Sequence, residues 1–219
     1  MSDIFREVDE DLRRDQAQKI WKRFGPALIA AALIVVAATA SYTLWQRARL
    51  ADQRERTAVL TRAIEAAVPE GAAAPSAEAA DELAAAAAQL DGGHATLARL
   101  YQAAALANGG QREQAVAVYD EISGSAEDPL LRDLASLHAV LHQIDSGDPA
   151  QLQSRLAPLA SPTSPWRWSA RELTGLLAIR TGDTARAGSI FRELAADAEA
   201  PAGIRTRATE LAALYPESK

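Results

Sequence analysis

The sequence predicts an all-α protein: a single N-terminal transmembrane helix, then an α-solenoid of about three helical hairpins plus flanking helices. Three observations carry this. Residues 24–46 contain no charged side chain. The composition is 48% hydrophobic but only 5% aromatic, with alanine dominant, and alanine is the strongest helix former. Pro129, Pro165 and Pro201 stand 36 residues apart, and each opens a helical pattern, as an internal repeat requires. The parts divide into a tail (1–23), a transmembrane helix (24–46), an extended helix and linker (47–75) and a repeat domain (76–219).

The net charge of −6 argues against a nucleic-acid surface, which needs a basic patch. The absence of cysteine excludes disulfides, thiolate metal sites and a lipid-anchored cysteine, without fixing the compartment.

Phe24–Trp45 is 22 residues, about 33 Å as a helix and enough for the hydrocarbon core. Ala27–Ala37 is apolar on every face, so no soluble side remains. Trp21 and Phe24 at one end and Tyr42 and Trp45 at the other suit the two interfaces. Pro26 is expected near the start of the helix, where its missing N–H costs little. Ala38-Thr39-Ala40 has the form that signal peptidase reads. However, 23 residues precede the apolar run, which continues past that point, so the helix reads as a retained anchor. The tail carries six basic residues and the stretch after the helix five. Lys19, Lys22 and Arg23 crowd the first boundary, favouring a cytoplasmic N-terminus. Ala27/Ala31 and Ala37/Ser41 offer small-xxx-small spacing for helix contact.

Helical pattern continues through Arg47–Val68, with Leu60, Ile64, Ala67 and Val68 on one stripe. Pro69-Glu-Gly71 ends it, and residues 69–75 read as a flexible linker. Ser76 is the expected N-cap of the next helix, with Glu78, Asp81 and Glu82 in its early turns. Leu83 and Leu90 bracket an alanine run that Asp91-Gly92-Gly93 stops.

The repeat then emerges. Gly110, Gly147 and Gly182, spaced 37 and 35 residues, mark turns between paired helices. Five and nine residues after each come Ala115/Tyr119, Leu152/Leu156 and Ala187/Phe191, and seven before come Ala103, Val140 and Gly175. A small residue on the first helix admits the second helix closely, and a larger one on the second fills the groove to the next hairpin. This is the tetratricopeptide pattern of two antiparallel helices in about 34 residues. The third copy, Ala170–Asp183 followed by Ala187 and Phe191, matches best, and the first is good. The second has Val140 and Leu152 where small residues are expected, so its hairpin should splay. Ser76–Leu90 would cap the front of the stack and Gly203–Leu214 the back. The competing fold is a helical bundle without repeats.

Chemistry is sparse. His138 and His142 share a helix face at the spacing of a two-histidine metal site. His94 is distant, and neither a cysteine nor an HExxH glutamate accompanies them, so a structural role is favoured. Gly182–Ser189 lacks the lysine of a phosphate loop, and no G-x-S-x-G elbow occurs. The chain therefore reads as a non-enzyme without cofactor or metal. Trp166 and Trp168 point to different sides of a helix start. Packing against the preceding hairpin is the plainer expectation for them, and an exposed interface anchor the sharper one. The concave face of a solenoid is its usual peptide-binding surface. First-helix side chains expected there are Arg99, Gln102, Gln143, Arg171 and Thr174, with Trp166 beside them. Leu106, Ser136, Ala139 and Ala178 complete that face.

The order of parts resembles a known family. A charged tail precedes a helix ending in Tyr42-Thr-Leu-Trp45, then an extended helix and an alanine-rich segment. Ala103–Gly110 and the Glu172-Leu-Thr-Gly175…Gly182-Asp183 hairpin follow. This is similar to the YfgM-like ancillary subunits of the SecYEG translocon, over nearly the whole chain. The resemblance implies a single-pass protein of the bacterial inner membrane, N-terminus cytoplasmic and repeat domain periplasmic. Its implied partners are the SecYEG translocon and a membrane-anchored periplasmic chaperone of the prolyl-isomerase type. The implied role is a scaffold linking the two, with no catalytic residues. The alternative is a repeat scaffold for another envelope task, such as coordinating division with wall synthesis or assembling outer-membrane proteins. The opening tail is amphipathic, with Ile4, Phe5, Val8 and Leu12 on one side, which suits a regulatory or docking role.

Overall fold

A computed structural model describes residues 3–68, 71–72 and 74–215. These are helical, with no strand among the described residues: α1 (Asp3–Ala67), a 3₁₀ turn (Ala77–Ala79), α2 (Ala80–Ala88), α3 (Gly92–Asn108), α4 (Arg112–Ser125), α5 (Pro129–Gln143), α6 (Pro149–Leu159), α7 (Arg167–Arg180), α8 (Thr184–Ala196) and α9 (Ala202–Leu214). The chain divides into two compact units, residues 1–55 and 56–219.

In the first unit, Leu28–Ala40 carries exposed apolar side chains wherever they are described, and Leu33, Ile34, Val35 and Val36 are each more than 60% exposed. Exposed apolar surface on every face has no partner in water. The helix is long and apolar enough to cross a membrane. Thr39 and Thr43 turn their hydroxyls onto the carbonyls of Val35 and Ala40, at 2.8 and 2.9 Å, so neither hydroxyl lacks a partner. Trp45 lies 6.1 Å from Tyr42, centroid to centroid, and stacks under the Arg49 guanidinium at 4.1 Å. The expectation for Pro26 needs correction. Because α1 starts at Asp3, Pro26 sits in the helix interior, not at its start. Nothing in Asp3–Arg23 breaks helix propensity, so the apolar stretch has no N-terminus of its own. The side chains of Ile4, Phe5, Val8, Leu12, Phe24, Ala27 and Ala31 lie outside those described.

The second unit takes in residues 56–67 of α1. Leu60 packs with Ala87, Ala98, Ile64 and Leu90, and Ala67 joins the cluster around Leu83 and Leu100. After α1 the chain is tied down at Pro75 and Ser76. The Ser76 amide donates to the Ala67 carbonyl at 2.8 Å, Asn108 Nδ2 donates to the Pro75 carbonyl at 2.8 Å, and Pro75 is buried. Pro69, Glu70 and Ala73 of the expected linker lie outside the described residues. Ser76 stands at the N-cap of the 3₁₀ turn but makes no side-chain cap bond. Gly92 and Gly93 do more than stop α2: Asp91 is the N-cap of α3, and the two glycines are its first residues.

Three hairpins follow, α3/α4, α5/α6 and α7/α8. Asp128 and Asp148 accept from the amides two residues on, at 2.8 and 3.1 Å, and each precedes a proline at the first helical position. Asp183 accepts from the Arg186 amide at 3.1 Å. These side chains satisfy backbone donors that a helix start otherwise leaves unpaired. Gly110 and Gly182 turn with φ of +76° and +82°, a backbone hand that costs other L-residues. Gly147 differs: its φ is not positive, and a Cβ there would come within 3.1 Å of the Gln143 carbonyl and 3.3 Å of Leu152 Cδ1. Close approach, not handedness, favours glycine in the second copy.

The residues seven before and five and nine after each turn glycine are buried. Ala103 and Val140 are sealed, Gly175 is buried, and so are Ala115/Tyr119, Leu152/Leu156 and Ala187/Phe191. The second hairpin is the loosest of the three, since α5 packs more extensively on α4 than on α6. One cause is specific. Arg99 and Arg171, eleven residues before their glycines, pair with Glu121 and Glu193, eleven after. In the second copy those places hold Ser136 and Pro158, so this tie between the two helices is missing.

Candidate functional site

The second unit carries an open groove along the first helices of its hairpins. One cavity of about 550 Å³ lies among α5, α7 and α9, and a second of about 290 Å³ lies among α3, α4, α5 and the segment Ala74–Pro75. Leu134 and His138 line both, so the two cavities adjoin at α5.

The turn glycines supply the groove's register. Counting back from each glycine, the same four positions line it on every hairpin: thirteen, ten, nine and six residues before. On α3 these are Leu97, Leu100, Tyr101 and Ala104. On α5 they are Leu134, Leu137, His138 and Leu141, and on α7 Ser169, Glu172, Leu173 and Leu176. Trp166, Arg207 and Leu211 complete the α7–α9 end. Successive first helices of a solenoid present equivalent faces because each hairpin stacks on the last by one repeated packing operation.

The lining is apolar and electrically self-contained. Arg207 Nε and Nη2 donate to the two carboxylate oxygens of Glu172 at 2.7 and 2.8 Å. That bidentate hydrogen bonding raises the Arg207 pKa above its usual value. His138 and His142 both stack on Tyr119, with ring centroids 5.3 and 5.7 Å away. Burial, then the neighbouring His142, lowers the pKa of His138; burial, then Arg112, lowers that of His142. Both imidazoles are thus favoured neutral. Burial also pushes the Tyr119 phenol up to about 12.

Of the side chains predicted to face a partner, Trp166 alone lines this groove. Its indole packs on α5 and donates to the Leu130 carbonyl at 3.3 Å, so it packs against the preceding hairpin and borders the cavity at once. The other predicted side chains lie elsewhere. Thr174 is buried, its hydroxyl donating to the Ala170 carbonyl at 2.8 Å. Leu106, Ala139 and Ala178 are buried as well. Arg99 and Arg171 turn to the glutamates of their own second helices. Gln102 is half-buried, and Gln143 donates to the Ala139 carbonyl at 3.1 Å beside a separate polar cavity near Arg112 and His142. The predicted positions, eleven, eight and four before the glycine, lie roughly half a turn round the helix from the observed ones at about 100° per residue. The arginines have partners 22 residues away, while Leu97 and Leu141 join no core cluster and stay 37% and 42% exposed.

Trp168, on the other side of α7, donates to Asp197 at 2.9 Å and lies under the Arg167 guanidinium at 3.4 Å. That indole N–H, followed by the Glu199 amide, holds the Asp197 carboxyl below the usual carboxylate range. Sequence reasoning missed this contact, along with the four groove positions. Alignment on the turn glycines gives the four positions a common register but does not by itself show that they stay open.

A family model described as a tetratricopeptide repeat-like domain matches residues 18–213. No curated protein and no solved structure matches the chain.

Proposed function

Since the chain belongs to the tetratricopeptide repeat-like domain family, we propose that it is a non-catalytic, membrane-anchored scaffold that holds a protein partner in its first-helix groove. The observation that carries this is the recurrence of four groove-lining positions in the frame of the turn glycines. Apolar side chains left accessible in adjoining cavities mark an interaction surface, since in water they lower the free energy only when covered. The matched span of 18–213 reaches back through the apolar stretch of α1, which supports treating anchor and repeats as one functional chain.

The site of action we propose is the bacterial inner membrane, with the N-terminus cytoplasmic and the repeats in the periplasm. There the protein joins the SecYEG translocon to a membrane-anchored chaperone of the prolyl-isomerase type. The tail–anchor–repeat order supports this reading. The experiment is crosslinked co-purification of the full chain from membranes in mild detergent, with partners identified by mass spectrometry. Translocon subunits together with an isomerase-like chaperone are expected. Division or outer-membrane assembly factors without translocon would overturn the export-site role and leave a scaffold of another envelope process.

A further inference from the structure

We propose that the groove's occupant is an extended, uncharged, apolar segment of another polypeptide, as an unfolded chain would present, rather than a charged peptide terminus or an amphipathic helix. This deepens the scaffold reading and rests on it.

Two independent observations point to that chemistry. The first is charge. The groove's carboxylate and guanidinium, Glu172 and Arg207, satisfy each other through two hydrogen bonds of 2.7 and 2.8 Å. The only imidazole lining it, His138, is biased to the neutral form by its surroundings. An incoming carboxylate or ammonium would lose its hydration and find no counter-charge that is not already paired. A neutral apolar segment loses little on leaving water and covers Leu97 and Leu141, which are 37% and 42% exposed.

The second observation is that an uncharged, non-helical stretch of the chain itself borders one end of the groove. Ala74 and Pro75 line the cavity over Leu97, Leu100, Tyr101 and Ala104. Pro75 is buried, its carbonyl is taken by Asn108 Nδ2 at 2.8 Å, and Ser76 after it is extended, with ψ of 154°. The α3 end of the groove is thus bordered by an uncharged, non-helical stretch of the chain itself. Adjacent helices pack about 8–10 Å apart, and an extended chain covers that distance in about three residues. A bound segment can therefore offer one side chain to each first helix in turn.

The test uses the full chain in lipid nanodiscs and a decapeptide of Ala, Leu, Ser and two central Pro. The peptide is blocked at both ends and carries a neutral coumarin. Binding is read by fluorescence anisotropy against empty nanodiscs. The prolines forbid a helix, so binding of this probe reports an extended occupant. We expect it to bind at least tenfold more tightly than versions in which two serines are replaced by glutamate or by lysine. Leu97→Glu and Leu141→Glu, both on accessible side chains, should each weaken it at least tenfold without changing the melting temperature. Arg207→Ala frees Glu172 and should narrow the gap for the lysine peptide at least threefold while leaving the glutamate peptide excluded. Equal affinity for the charged peptides, no binding of the proline-containing probe, or binding unaltered by both leucine variants would each overturn the proposal. Translocon recovered by co-purification with no probe binding removes this inference alone. Probe binding with no translocon removes the export-site role and leaves the groove chemistry intact.

Discussion

Single atoms decide several outcomes. A Cβ on Gly175 would sit 2.7 Å from both Cε1 and Cζ of Phe191, a fully buried ring. Gly175→Ala should therefore cost about 1–3 kcal/mol through overpacking. Gly124, within α4, has nothing near its Cβ position, so Gly124→Ala should stabilise by roughly 0.5–1 kcal/mol. Urea unfolding followed by circular dichroism measures both, and two shifts of the same sign would contradict the packing argument. His138 and His142 give a pH dependence. Their pKa values are lowered from 6.5 on folding, so the unfolded chain binds more protons as pH falls. Their contribution to stability is full above about pH 6.5 and is lost as pH drops through the folded values. The melting temperature should fall between pH 7.5 and 5, and less steeply in His138→Gln. An unchanged slope in that variant would show that other groups carry the effect.

At the scale of elements, the helix starts differ in kind. Asp128 and Asp148 accept backbone hydrogen bonds ahead of their prolines, whereas Ser76 holds the same position without a side-chain bond. Asp128→Ala and Asp148→Ala should each cost about 1 kcal/mol, and Ser76→Ala only a few tenths. Thermal melts of the three variants separate the cases, and equal losses would contradict the geometry. The second hairpin is looser for a related reason. It lacks the arginine–glutamate tie of its neighbours, and α6 contains Pro158, so α5 leans on α4 instead. Each such exposed pair contributes only about 0.2–1 kcal/mol. Their role is more evident in orienting the two helices than in total stability.

For the whole molecule, partner capture should follow the groove and not the opposite helix face. In the co-purification experiment, Trp166→Ala and Leu141→Glu should reduce recovery of partners at least several-fold. Arg171→Glu, which breaks the Glu193 pair outside the groove, should leave recovery near the unsubstituted level. The reverse pattern would place the interface on the face first predicted from polarity. Net charge of −6 with a neutral groove also predicts weak salt dependence of capture, because no long-range charge attraction is needed.

Much of the architecture was legible without coordinates because it depends on local properties. A run of uncharged residues is apolar in any context. The small and large residues at fixed distances from Gly110, Gly147 and Gly182 record how closely one helix can approach the next. Proline after Asp128 announces a helix start by its fixed φ and missing N–H. The open face of the first helices was not legible in that way. Both sides of α3, α5 and α7 offer a continuous stripe, and periodicity cannot say which stripe a neighbouring helix will cover. That choice follows from pairing between helices: Arg99 with Glu121 and Arg171 with Glu193. These contacts turn the polar stripe toward the second helices and leave leucines facing the groove. The sequence alone determined which residues could pack; the tertiary structure decided which apolar stripe stays open, because burial depends on what the rest of the chain places against it.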